Sequence, residues 1–193
     1  MIGLTLHIRK KFVSNYVPII WLALSSLFCD LLSLYLRVEI RNTMPAFHLY
    51  GLLHGICLIW FFSLNISRSR AVVWIGGVYL LFYVINSAHF EHILTYNAMA
   101  KVIQNFLFVA MSFWYFFDLY RLESKLELES HGIFWIVVGI LLYHSGAFFT
   151  SLFSAKILST DDGRLFSTWI VHNLSNLTKN ILFLVGLWMG RTR

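Results

Sequence analysis

Residues 134–153 read FWIVVGILLYHSGAFFTSLF, twenty residues without one Asp, Glu, Lys or Arg. An α-helix rises about 1.5 Å per residue, so about 20 apolar residues match the roughly 30 Å hydrocarbon layer of a bilayer. The segment predicts a transmembrane helix, and the chain on either side repeats the pattern. Further spans are predicted over 165–188 toward the C-terminus and over 96–120, 71–88, 45–64 and 16–36 toward the N-terminus. The breaks between them carry Arg, Lys or turn-forming clusters. Pro45 opens the second span, where a missing N–H is no loss because the first turn of a helix leaves its N–H groups unpaired. Hydrophobic residues make up 59% of the 193, charged residues 12%, and mean hydropathy is +0.71, whereas a soluble domain carries about 25% charged residues. The expected fold is all-α, a polytopic membrane helix bundle of six transmembrane helices forming one domain over residues 1–193.

Lys and Arg retained beside the cytoplasmic face set membrane orientation. With six spans the termini share a side, and that side holds nine cations: Arg9, Lys10, Lys11, Arg68, Arg70, Arg121, Lys125, Arg191 and Arg193. The other side holds four, Arg37, Arg41, Lys156 and Arg164. Both termini are therefore expected in the cytoplasm, with the chain as a multi-pass protein of the inner (cytoplasmic) membrane. The net charge of +6 is what an anionic inner leaflet attracts, and it calls for no nucleic acid. The first apolar run has no small-residue cleavage site and is long enough to span, so it is expected to be retained. Cys29 and Cys57 both fall inside spans and are expected as small packing residues.

The extramembrane segments are too short to bury a core, so any chemistry must lie in the bundle, at its mouths or with a partner. An ionisable group inside a span costs on the order of 2.5 to 3.5 kcal/mol on insertion scales and should face the bundle interior with a partner. Asp30 is the clearest acid and Lys179 the clearest base. In the last span His172, Asn173, Asn176, Lys179 and Asn180 recur at spacings of three and four, predicting a polar stripe turned away from lipid. Tyr143, His144 and Ser145 of the fifth span, Gln104 and Asn105 of the fourth and His54 of the second can meet that stripe. Such a stripe reads first as interhelical glue, worth roughly 0.6 kcal/mol per hydrogen bond, then as the lining of a ligand cavity, and last as the seat of a cofactor or ion. The predicted ligand-binding set is Asp30, His54, Tyr143, His144, His172, Asn173, Asn176 and Lys179, with Asp30 as counter-charge.

A bis-histidine haem would draw on His54, His144 and His172, of which His54 and His172 match best in depth. Lys179 with Asp30 could hold a retinal Schiff base, although six spans argue against an opsin. The HFEH run at His89–His92, together with Asp161 and Asp162, matches no metal motif and reads as a solvated loop face. No activated nucleophile, Gly-rich phosphate loop or carboxylate pair is recognisable, so the expectation is a protein without enzymatic activity.

The runs FWIVVGILLYHSGAFF (134–149) and HNLSNLTKNILFLVGLW (172–188) resemble the last two spans of small multi-spanning membrane proteins of Bacteroidetes-type bacteria. Those proteins look like the membrane modules of sensor histidine kinases. The resemblance implies a bacterial inner-membrane location and a role in sensing or signalling. The chain ends at Arg193 without a kinase extension, so a signal is expected to pass to a separate signalling partner, through the interleaved charges and leucines of RLESKLELESH (121–131). A homo-oligomer is compatible with this reading. The alternatives are a small-molecule transporter, against which the apolar run ILFLVGLWMG (181–190) stands, and a b-type haem electron carrier.

Overall fold

Helices account for nearly all of the chain because, in an apolar solvent, a backbone N–H or C=O must find its partner within its own segment. The computed structural model describes residues 2–122, 131–158 and 164–191, and among these there is no strand. In order they form α1 (Ile2–Glu39), α2 (Met44–Asn65), α3 (Ser69–Ile85) continued by a π-helical turn (Asn86–Phe90), α4 (Ala98–Leu122), α5 (Gly132–Leu158) and α6 (Arg164–Arg191). Five stretches are long and apolar enough to cross a membrane: Ser14–Glu39, Met44–Asn65, Ser69–Phe90, Ala98–Arg121 and Gly132–Leu152. Each lies within a few residues of a predicted span. α6 is not among them, although it is 28 residues long, because His172, Asn173, Asn176, Lys179 and Asn180 make it the least apolar of the six helices.

The first helix starts well before the span predicted at 16–36. α1 begins at Ile2 and runs through the basic residues 9–11, although Pro18 removes one backbone donor from its interior. The chain leaves α1 at Arg41, whose φ of +56° lies in the left-handed region usually filled by Gly or Asn. Pro45 occupies the first turn of α2, as its missing donor favours. Most of the loop 121–131 lies outside the described residues, as do Asp161 and Asp162.

By contacts the chain divides into two compact units, Met1–Asn97 and Ala98–Arg193, each built around its middle helix. In the first unit α1 and α3 both pack on α2, which buries Leu58, Phe61 and Phe62. In the second, α4 and α6 both pack on α5, which buries Ile136, Val137 and Ile140. Lipid removes the hydrophobic drive between helices, so close packing of small residues carries association. A Cβ added at Gly76 would stand 2.5 Å from Ile59 Cγ2, which fixes α3 against α2. In the second unit a Cβ at Gly186 would stand 2.5 Å from the Gly132 carbonyl oxygen, and one at Gly139 3.2 Å from Leu182 Cβ and 3.3 Å from the Lys179 carbonyl oxygen. These glycines let α6 lie close to α5 over its C-terminal half, beside the residues treated below.

Gly186→Ala should therefore destabilise the purified protein by about 1–3 kcal/mol, because its new methyl meets backbone that cannot rotate away. Gly77→Ala should be neutral or mildly stabilising, since a Cβ there meets nothing within 4 Å and alanine is the better helix former. Thermal midpoints of both variants in one detergent check the pair.

Candidate functional site

Each unit buries a polar cluster, and the two differ in how far their members satisfy one another. In the first unit the cluster gathers where α2 begins and α3 ends. His48 is 4% exposed. Its Nε2 lies 2.9 Å from the Thr95 carbonyl oxygen, which can only accept, so Nε2 carries the proton and donates. In the neutral ring Nδ1 is then an acceptor, and it meets Asn97 Nδ2 at 3.2 Å and the Ser87 hydroxyl at 3.1 Å. Asn97 Nδ2 also donates to Ser87 Oγ at 3.0 Å, while Asn86 Nδ2 donates to Asn97 Oδ1 at 3.0 Å and to the Glu91 carboxylate. Tyr83 donates its hydroxyl proton to the His48 carbonyl at 2.8 Å. Asn86 Oδ1 is the atom of this network with no hydrogen-bond partner. The π-helical turn, closed by a 2.8 Å bond from Glu91 N–H to the Asn86 carbonyl, brings Asn86, Ser87 and Glu91 into this arrangement.

In the second unit the cluster lies where α5 meets α4 and α6. His144 is 1% exposed, with Nδ1 at 2.7 Å from Asn105 Oδ1. Asn105 Nδ2 donates to Ser151 Oγ at 3.1 Å, so its carbonyl faces the imidazole and the His144 proton sits on Nδ1. One α4 amide thus spans two turns of α5. Next to His144, the Tyr143 ring lies 5.6 Å from the His172 ring and 4.3 Å from Lys179 Nζ. Phe183, one turn on, has its ring centroid 5.8 Å from the same Nζ. Lys179 is 6% exposed, and among the described residues it makes no hydrogen bond or ion pair.

The polar stripe of α6 divides. A helix advances about 100° per residue, so His172, Asn176, Lys179 and Phe183 share one face while Asn173 and Asn180 stand roughly a quarter-turn away. Lys179 and Phe183 are buried and His172 and Asn176 half-buried, whereas Asn173 and Asn180 are exposed. The expectation that all five residues turn inward is corrected by that geometry, Asn173 and Asn180 lying outside it.

No protein family, curated protein or solved structure matches this chain.

Of the residues expected to bind a ligand, Tyr143, His144, His172 and Lys179 meet through ring contacts in the second unit, with Asn176 on the same face of α6. Asp30 and His54 belong to the first unit. Asp30 is exposed on α1, and His54 is buried with its ring 5.3 Å from that of Tyr50. The His144 ring packs beside those of Phe108 and Tyr143, each with its centroid 5.0 Å away. In the HFEH run, His89 and His92 are exposed and Glu91 accepts from Asn86. Among the described residues no three His, Cys, Asp or Glu side chains converge as a metal site would need.

The network of His48, Asn86, Ser87 and Asn97 is the arrangement that sequence reading missed. Its signal was four polar residues at span ends, positions that solvent would serve equally well. Since buried polar groups that pair with one another hold structure together, this cluster is a structural clasp. Asn97→Ala and His48→Ala should each destabilise by about 1–3 kcal/mol, the cost of leaving a buried partner unsatisfied. The double variant should fall short of the sum of the two, which a double-mutant cycle on unfolding midpoints measures.

Proposed function

We propose that this chain is a non-enzymatic membrane protein that binds a small amphipathic molecule against α5 and α6 of its second unit and acts through a partner protein. The observation that carries this reading is Lys179, a buried cation over the Tyr143 ring with no protein anion among the described residues. An ionisable residue inside a membrane helix is retained for what it binds or moves, since as packing it is expensive. In the first unit's cluster, by contrast, the groups pair with one another, Asn86 Oδ1 excepted.

Orientation and context belong to the same proposal. The cation excess beside the termini favours both in the cytoplasm, and the likeness of 134–149 and 172–188 to sensor membrane modules favours signalling in a bacterial inner membrane. A pocket is favoured over a transport path because the inward polar face of α6 stops at Lys179, and residues 181–190 beyond it are apolar.

Native mass spectrometry of the protein released from detergent tests the reading. Wild type should carry a bound small amphiphile, and Tyr143→Ala should lose most of that adduct while remaining monodisperse. A bare mass in wild type, with no gain in thermal midpoint from a total membrane extract, would contradict ligand binding. Concentrative uptake of the bound molecule by proteoliposomes would replace the sensor with a transporter.

A further inference from the structure

The inward face of α6 presents an ammonium at Lys179 and a carboxamide at Asn176, and neither has a hydrogen bond or ion pair among the described residues. Side chains on a helix lean toward its N-terminus, so Lys179 reaches back toward Asn176. Its Nζ settles over Tyr143, the ring that also touches His172 two turns earlier. Lys179 and Asn176 thus share one face of α6 within one turn of each other, with Nζ over the Tyr143 ring, and among the described residues no acceptor with negative charge stands beside Nζ.

Depth and lining narrow the class. Lys179 stands fifteen residues after Arg164 and twelve before Arg191. At about 1.5 Å per residue that is roughly 22 Å from one helix end and 18 Å from the other, which puts Lys179 deep in the apolar layer when α6 is taken as the sixth span. A phospholipid headgroup is held at the interface, far from this level, whereas a single-chain amphiphile can lie lengthwise in the layer. Around the donors stand the rings of Tyr143, His172 and Phe183, and beyond them α6 continues as the apolar run 181–190. That wall suits a hydrocarbon tail better than it suits a hydrated inorganic ion.

We infer that the site takes the carboxylate of a single-chain amphiphile, with the head at Lys179 and Asn176 and the tail along the apolar half of α6. The inference rests on the ligand-binding reading above and adds the sign of the charge and the shape of the molecule. Ammonium and carboxamide both donate to a carboxylate oxygen, and the charge-assisted bond to Lys179 would be the stronger.

The test uses the full-length, delipidated protein with oleate and with oleyl alcohol, which has the same tail and no charge. Oleate should bind at least tenfold more tightly than the alcohol. Lys179→Met should abolish that preference, and Asn176→Leu should reduce it severalfold. If Lys179→Met does not fold, Lys179→Gln and Asn176→Leu carry the same comparison. Equal binding of oleate and alcohol would overturn the carboxylate inference and leave the ligand-binding reading standing, whereas no binding of either, with a bare native mass, would overturn both. Displacement of oleate by phosphatidylglycerol in nanodiscs at stoichiometric amounts would assign the site to a bilayer lipid and overturn the single-chain source. Displacement by chloride at millimolar concentration would overturn it in favour of a free anion.

Discussion

A lysine ammonium buried where α6 meets α5, over the Tyr143 ring, is the constraint on which the second unit depends. On insertion scales such a group costs about 2.5–3.5 kcal/mol at the middle of a span. The ring of Tyr143, at 4.3 Å from Nζ, answers part of that, since a cation over an aromatic face gains about 0.5–2 kcal/mol. The contact exists because α5 and α6 lie close together, and they lie close because Gly139 and Gly186 leave room for the facing backbone. Glycine, tyrosine and lysine thus form one chain of dependence. The shortfall between cost and gain is what a bound anion would make good.

The two buried clusters show how the same residue types serve opposite ends. His48 uses both ring nitrogens within the first unit, and its partners bond one another through Asn97 and Asn86. Such a network orders the end of a bundle, tying the start of α2 to the π-helical turn after α3. His144 likewise has Nδ1 committed, through Asn105, to the contact between α4 and α5. Lys179 and Asn176 lie beyond that committed part.

The position of five helices was legible in the chain because it follows from apolar run length, which the bilayer fixes. Residues 134–153 could be read as a span without knowing what surrounds them. The continuation of α1 to Ile2 was not legible, since a basic segment carries no signal separating helix from tail. Spacing on α6 identified Lys179, His172 and Asn176, while the grouping of Asn173 and Asn180 with them failed because each directly follows a residue of that face and so stands about 100° from it. Tyr143 and His144 were named as residues able to meet the stripe, and which turns of α5 and α6 face one another is decided by glycine positions that a linear pattern does not reveal. The first unit's clasp stayed hidden because His48, Asn86, Ser87 and Asn97 lie up to 49 residues apart and come together only across three segments.

The measurement that bears most directly on the central claim is the unfolding midpoint of Lys179→Met against wild type, both stripped of bound amphiphile in the same detergent. If the ammonium is buried with an aromatic face as its main partner, an apolar side chain of similar length should leave the midpoint unchanged or raise it. A fall of several degrees would contradict the account, because it would mean that the lysine is paired within the protein and belongs to its packing.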